Sequence, residues 1–428
     1  MKQKKLLVLG SDFGAKDVVL EAQKMGVYVI HSDNMASSPA KEVADEKWYI
    51  STTDIDELEK KCIEAQVDGV TIGCTDVNGD RARALCKRLN LPFYCNKDES
   101  WNFSRNKSVF KNLCKKVGTP TAPRYHLTGE LKRDDLNNIV YPVVVKPVDL
   151  SANRGVSFCH CEEELIAAVN KIKELSDNPT LVCERMLHGD EWVANYVLVN
   201  GKARLLYFGR EMHQPGEPTN FYQMIITSAH HLKQWNEEAN EKVCKLFETA
   251  GFENGIAWVE LMLDDDGHFY VIEPGYRFSS ETSYSLYSKI CGFNALRWYI
   301  DDAIGVKHSE SDLPQGLDCA YESCVAVYHL FTKEGGVIST IEGLKEIEAL
   351  DNVTVDLPRR EGMAVATRGI MGLVRIYGKT IDEAVETLKY VNRVFSCKNE
   401  KGENLFVRYT DYEGMKAEFI AGLKEYSN

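Results

Sequence analysis

The chain has 428 residues, 44% of them hydrophobic, and a formal charge of −13 at pH 7. That hydrophobic content supports full cores and excludes global disorder, and the length predicts two to four domains. The acidic balance excludes a nucleic-acid-binding protein, whose footprint is basic. Thirteen cysteines without paired metal-ligand spacing, and an N-terminus that runs from Met1-Lys2-Gln3-Lys4-Lys5 straight into a strand, lead us to expect reduced thiols in a cytoplasmic protein. No apolar run is long enough to span a bilayer.

Residues 1–96 read as an α/β domain. Lys5–Gly10 is a short apolar run, and Gly14 opens a helical pattern through Met25. Val27–Ile30 and Gly69–Ile72 are further strands, and Glu57–Ala65 and Asp80–Asn90 further helices. Strands alternating with helices predict right-handed crossovers and a parallel sheet. The first turn, Gly10-Ser11-Asp12-Phe13-Gly14, lacks the G-x-G-x-x-G spacing of a dinucleotide site, so a structural or substrate-contacting role is the better reading. Gly378-Lys379-Thr380 is no P-loop either, because Leu373 stands where the first glycine belongs.

Residues 97–308 form the second predicted domain. Asn102–Val117 is a helix bearing Lys107, ended by Gly118 to Pro123. Tyr141–Pro147 is an apolar strand with Lys146 near its end, where an ammonium must reach water or an anion. Asp149–Gly155 is a small-residue loop whose backbone N–H groups can approach an anion closely. Glu162–Leu175 is a helix, and Thr180–Cys183 a strand running into Glu184–Glu191. Trp192–Val199 and Ala203–Phe208 are strands joined at Asn200-Gly201. Glu211–Tyr222 reads as a polar loop, Gln234–Ala250 as a helix and Ser283–Ile304 as largely helical. Residues 309–428 are a third, mixed α+β domain, with strands at Cys324–Phe331, Val353–Val355 and Ile370–Tyr377 and a helix at Ile381–Val391.

Within Gly255–Glu281 two apolar runs flank Asp264–Gly267. If Asp266-Gly267 is a two-residue turn, His268 pairs with Asp265, Met262 faces Val271 and Glu260 faces Glu273. Facing carboxylates repel and resist desolvation, and a divalent cation resolves the conflict. Taken alone, the pair is better read as two surface carboxylates of an edge hairpin. Arg277, four residues after Glu273, is a fixed cation that can hold a second anion.

In order along the chain, Asn106-Lys107, YPVVVKPVDLSANRGV, ERMLHGDE, GIAWVELML and VIEPGYR resemble the ATP-grasp superfamily. The resemblance is closest to the branch of carbamoyl-phosphate-synthetase-like, biotin-carboxylase-like and L-amino-acid-ligase-like proteins. It implies a fold of α/β and α+β class: an N-terminal parallel-sheet domain, a central ATP-grasp domain of two α+β subdomains, and a C-terminal mixed domain. It implies ATP and Mg²⁺, with Mn²⁺ as an alternative ion. Lys107 and Lys146 match lysines that hold phosphates, and Ser151–Gly155 the loop that covers them. Glu184, with the backbone of Arg185, Met186 and Leu187, matches the hinge that recognises the adenine edge. Glu191 matches the ribose ligand, Met262 the residue packed on adenine, and Glu260 and Glu273 the metal ligands. Arg277 matches the arginine that contacts the substrate carboxylate or acyl phosphate. One position departs: the usual Glu-x-Asn-x-Arg reads Glu273-Pro274-Gly275-Tyr276-Arg277, which puts a second metal ion in question. Glu281 has the spacing of a biotin-carboxylase base, but capping of the following helix or a substrate contact is the favoured reading.

The activity implied is ATP-dependent ligation of a small-molecule carboxylate to an amine through an acyl phosphate, with an amino acid as one substrate. Lys107, Lys146 and the metal would neutralise the moving phosphoryl group, and Arg277 would orient the carboxylate. The alternatives are a bicarbonate-dependent carboxylase or carbamoyl-type enzyme and a non-catalytic nucleotide-binding regulator. Arg210, His213 and Tyr222 are candidates for a substrate wall, although a histidine in a polar loop is more often solvated. Exposed salt bridges explain Arg359, Arg360 and Arg368 equally well. Expected partners are small molecules, not nucleic acid or membrane. Homodimers are common among such proteins, but no stripe in this sequence fixes one.

Overall fold

The computed structural model describes residues 2–148, 150, 154–176, 178, 180–216, 222–313 and 321–426. Ser151, and with it most of the loop expected to cover phosphates, lies outside the described residues.

Four strands, β1 (Lys5–Leu9), β2 (Tyr28–Ser32), β3 (Glu46–Trp48) and β4 (Gly69–Ile72), pair in parallel in the order β3-β2-β1-β4. All of β1 after Lys5 is buried, as a parallel strand covered on both faces requires. Strand order reverses about β1, and the turns following β1 and β4 meet there. Asp12 of the first turn accepts hydrogen bonds from the Thr75 N–H and hydroxyl and from Asn78 at 2.6–3.1 Å. The crevice outside the carboxyl ends of such a sheet is the usual ligand position, and Asp76 starts its helix at this edge. The sequence reading missed β3, since only Trp48 of its three residues is buried.

A second, antiparallel sheet contains β5 (Arg124–Tyr125), β6 (Val143–Pro147), β7 (Ser157–Cys159) and β8 (Leu181–Arg185), in the order β5-β8-β6-β7. Leu165, Val169 and Ile172 of the helix Glu162–Leu175 share a core with Val143, Val145 and Cys183 of this sheet.

The remaining strands are β9 (Gly189–Val199), β10 (Lys202–Met212), β11 (Met224–Thr227), β12 (Gly255–Asp264), β13 (Phe269–Gly275), β14 (Cys324–Thr332), β15 (Gly336–Glu342), β16 (Val353–Asp356), β17 (Ala364–Val365), β18 (Ile370–Gly378), β19 (Ser396–Asn399) and β20 (Phe406–Val407). Nine of them make one sheet, β13-β12-β9-β10-β11-β14-β18-β16, with β20 on β14; β17-β15-β19 is separate. The large sheet does not stop at residue 309, because β11 pairs with β14. Its two faces divide the core. Ile225, Val327 and Leu373 face the core that includes the central region, while Met224, Tyr328 and Val374 face the C-terminal helices.

Several expected boundaries shift. β10 runs through Glu211 to Met212, where a loop was expected. The expected helix at Asn102–Val117 is two, Asp98–Arg105 and Lys107–Val117. Asn106 between them is extended, and its side chain caps the N–H groups of Ser108 and Val109. The segment expected as one helix at 234–250 contains a π-helical turn at Asn236–Asn240. The segment at 283–304 breaks into Tyr284–Ile290 and Ala295–Ala303 around Gly292, whose φ is +67°. Among the described residues no helix is long and apolar enough to cross a membrane, and the cysteines are free and mostly buried.

Candidate active site

The β12–β13 hairpin places Glu260 opposite Glu273. Its turn differs from the expected one. Gly267 N–H bonds to Asp264 O at 2.8 Å, and Asp264 N–H to His268 O at 3.0 Å. The loop is therefore three residues, Asp265-Asp266-Gly267, with Gly267 left-handed at φ +82°. Met262 consequently faces Tyr270, not Val271. A bulge between Glu260 and Leu261, opposite Ile272, then restores the glutamate pairing.

Directly opposite residues share a face, and faces alternate along each strand. On β9, Val193 lies opposite Glu260 and Glu191 opposite Met262. On β10, Gly209 lies opposite Val193, which puts Glu211 beside Glu191. One face of β13-β12-β9-β10 thus carries Glu273, Glu260, Glu191 and Glu211. Burial pushes the Glu260 carboxyl well above the ordinary carboxylate range, and Glu273, Glu281 and Glu191 push it further. Glu211 is raised for the same reason, by burial and then by Glu191, Glu260 and Glu281. Such a cluster asks for a cation, and the facing pair offers oxygens to a hard divalent ion.

The cations come from elsewhere in the fold. Lys107 opens its helix after the Asn106 break. Its Nζ donates to Leu150 O at 2.8 Å and stands 3.5 Å from Glu273 Oε2. Lys146, buried near the end of β6, lies 2.9 Å from Glu184 Oε2. Lys111, one helical turn beyond Lys107, lies 2.9 Å from Glu184 Oε1 and donates to Val271 O at 3.2 Å. Burial works against the Glu184 anion, but Lys146 and Lys111 overcome it and bring its pKa down to about 2. Burial lowers Lys111. For Lys146 burial is outweighed by Glu184, Glu273 and Glu260, which raise it and keep the ammonium charged beside the facing glutamates.

The Glu184 carboxylate, on strand β8, is thus paired with two lysines. The backbone after it differs residue by residue. Arg185 N–H donates to Pro123 O and Met186 N–H to Pro142 O, whereas Leu187 N–H carries no partner among the described residues. Met262 is half-buried beside Glu191 on the shared face.

Arg277 is half-buried at the edge of a cleft lined by Asp76, Asn106, Lys107, Leu150, Trp258 and Glu273. Its Nε donates to Asp76 Oδ1 at 2.6 Å and its Nη1 to Phe278 O at 2.7 Å, and its guanidinium lies 5.3 Å from the centre of the Trp258 ring. Trp258 also accounts for Gly275. The two are directly opposite, and a Cβ on Gly275 would lie 2.1 Å from Trp258 Cε2. The indole excludes any side chain where the usual asparagine would stand.

Glu281 caps nothing. It is 4% exposed and accepts a hydrogen bond from the Tyr222 hydroxyl at 2.6 Å, while the next helix starts after Ser283 without a side-chain cap. The capping reading is corrected on that ground. His213 Nε2 lies 2.9 Å from Glu191 Oε2. Arg210 turns to the opposite face, ion-paired with Asp190 and bonded to Glu191 O. Arg360 makes an exposed pair with Glu42. Sequence reasoning missed Lys111, Glu211 and Trp258. For Lys111 a signal existed, its i,i+4 spacing from Lys107 on one helix face.

A family model described as ATP-grasp domain matches residues 139–283. A formate-dependent phosphoribosylglycinamide formyltransferase of Wolinella succinogenes is 29% identical over 203 residues, covering 46% of this chain and 51% of that enzyme. The chain spans about half the length of the curated relatives that match first. Among solved structures, an L-amino acid ligase from Bacillus licheniformis superposes with a TM-score of 0.76 at 20% identity, covering 94% of this chain and all (100%) of that one. The biotin carboxylase domain of 2-oxoglutarate carboxylase from Hydrogenobacter thermophilus, in complex with MgADP and bicarbonate, gives 0.77 at 17% identity, covering 99% and 98%. At these identities the structural matches establish the fold.

Proposed function

We propose that this chain, which belongs to the ATP-grasp superfamily, is an ATP-dependent ligase that joins a small-molecule carboxylate to an amine. One observation carries the reading: the half-buried facing pair Glu260–Glu273 lies beside Lys107 and Lys146, and Glu273, Lys107 and Arg277 line one cleft. Two anionic ligands and two charged lysines suit a metal–triphosphate complex, and the guanidinium suits a second, planar anion. Glu260 and Glu273 would hold Mg²⁺, and Mn²⁺ suits the same oxygens. The ion supplies charge neutralisation at phosphate oxygens when bound.

Lys107 and Lys146 bind the phosphates of the substrate ATP. Leu187 N–H is the donor left for the adenine edge, Met262 packs on the ring, and Glu191 receives the ribose hydroxyls. The substrate carboxylate, oriented by Arg277, attacks the γ-phosphate to give an acyl phosphate and ADP. The amine then forms the C–N bond as the acyl C–O bond breaks, and its proton passes to the departing phosphate. The protein's work is alignment and charge stabilisation, with no enzyme nucleophile. The cysteines have no nucleophilic part in this scheme, and burial raises the thiols of Cys74 and Cys114.

The test is ADP release with Mg²⁺ and ATP against carboxylate–amine pairs, with mass spectrometry of products. Formate belongs in the panel because relatives are named formate-dependent. Turnover requiring both partners, with an amide product, supports the ligase. Turnover with bicarbonate alone would replace it by a carboxylase, a reading favoured by the position of Glu281 beside Tyr222.

A further inference from the structure

Beyond the metal pair, the same face of the large sheet continues as buried polar side chains that this chemistry leaves unused. Ile225 of β11 lies opposite Glu211, and Val327 of β14 opposite Ile225. By alternation Gln223 and His329 stand on the face of Glu211, and His329 N–H donates to Gln223 O at 2.8 Å. Tyr222 and Glu281 close over them. The Tyr222 ring lies 5.1 Å from that of His329, and its hydroxyl holds Glu281. Glu211 and Gln223 are each 3% exposed, and His329 is 1% exposed.

What this row lacks is donors. Glu211 Oε1, Glu281 Oε2 and Gln223 Oε1 have no hydrogen-bond partner among the described residues, while the His329 ring meets the Tyr222 backbone. An unsatisfied buried polar group costs about 1–3 kcal/mol, so a set of them marks a place that something else satisfies. The nearby guanidinium groups are already committed. Arg375 pairs with Asp17 at 2.7 Å, Arg277 with Asp76 at 2.6 Å, and Arg210 with Asp190. Nor do the carboxylates close on one metal ion. Among the described residues, the group of three whose ligand atoms lie within 4.8 Å of one another is His230, His231 and Glu425, which is not part of this row.

We infer that this row is the amine pocket of the ligase reading, on which the inference rests, and that it takes a dibasic amine free of phosphate esters. One nitrogen faces Glu281 toward the reaction centre. The second, an ammonium or guanidinium, is received by Glu211, with Gln223 and His329 lining the same place. Among the described residues, the guanidinium groups near the row are all paired, which leaves a phosphate ester without a free cation. A neutral side chain leaves the buried acceptors unpaired, a mismatch that polar sites reject strongly.

The test separates the two layers. Hydroxylamine traps an acyl phosphate as a hydroxamate whatever the natural amine is. With the carboxylate that gives hydroxamate, L-lysine, L-ornithine and 1,5-diaminopentane are compared with L-norleucine and with an amine bearing a phosphate ester. The dibasic amines should exceed L-norleucine at least tenfold in kcat/KM, and that ratio should collapse toward one in Glu211→Gln and fall in His329→Phe. Hydroxamate with no dibasic preference, or with preference for the phosphorylated amine, overturns the pocket and leaves the ligase standing. An unaltered ratio in both variants overturns the residue assignment. No hydroxamate with any carboxylate removes the ligase reading, and the pocket with it.

Discussion

Glu260 and Glu273 face each other because two irregularities of their hairpin cancel. The three-residue loop Asp265–Gly267 moves the register by one residue, and the bulge opposite Ile272 moves it back. The result is a half-buried like-charge pair beside Lys107, with Glu260 held well above its ordinary range by burial and by Glu273.

Removing one member of that pair separates stability from activity. Glu273→Gln should lower Mg²⁺-dependent ADP release by about 100-fold or more, the scale of losing a group that stabilises transferring charge. Without metal the same variant should melt about 2–4 °C higher, because a repulsion worth about 1 kcal/mol is gone. Thermal scans with and without Mg²⁺ check both. A lower melting temperature in metal-free buffer would show that the pair is not repulsive in this fold.

Glu184 ties two buried ammonium groups to one carboxylate. Glu184→Gln leaves Lys111 and Lys146 without it and should lose about 3–5 kcal/mol in urea unfolding. Adding Lys111→Met to that variant should recover part of the loss, since beyond Glu184 the lysine gives up Val271 O and a contact over the Phe110 ring, 5.4 Å from its Nζ. If the double variant is no more stable than Glu184→Gln, the Lys111–Glu184 contact at 2.9 Å carries little energy.

The same carboxylate sets a pH window. Its folded pKa of about 2 lies below the ordinary value of 4.5, so the native state binds fewer protons than the unfolded chain between those limits. The stability it contributes is complete above about pH 4.5 and drains away as pH falls toward 2. Over that range the stability of the wild type should fall more steeply than that of Glu184→Gln. Parallel slopes would mean that other carboxylates govern acid unfolding.

The site was legible where chemistry is local and hidden where it depends on long-range pairing. Glu260, Glu273, Lys146 and Arg277 stand out as charges at the ends of apolar runs. The expected turn was one residue short, and the bulge that compensates has no sequence mark. Glu211 was read as loop because residues 211–222 are polar and carry two prolines. Which of them faces inward is decided by β9 and β11, and Gln223 and His329 join the row only once β14 pairs with β11. Lys111 reads as a solvent-facing helix residue until Glu184 arrives from another sheet. Strand β3 offered a single buried side chain. The parallel order of the first sheet, by contrast, followed from continuous apolar strands alternating with amphipathic helices.

Gly275 is a consequence of Trp258, which makes it testable as a pair. Gly275→Asn alone sets a Cβ about 2.1 Å from Trp258 Cε2, a contact that the structure must relieve by moving the indole under Arg277. Overpacking of that kind costs about 1–3 kcal/mol, and the displaced Arg277 should raise KM for the carboxylate. Trp258→Ala alone opens a cavity and should cost about 3–5 kcal/mol. Together the two changes fill one another's defect, so the double variant should be more stable than the sum of the singles by at least 0.5 kcal/mol. Urea unfolding of the four proteins measures the coupling, and ADP release against Mg²⁺ concentration shows whether the asparagine adds a metal ligand. Strict additivity would mean that the glycine is not there to admit the tryptophan.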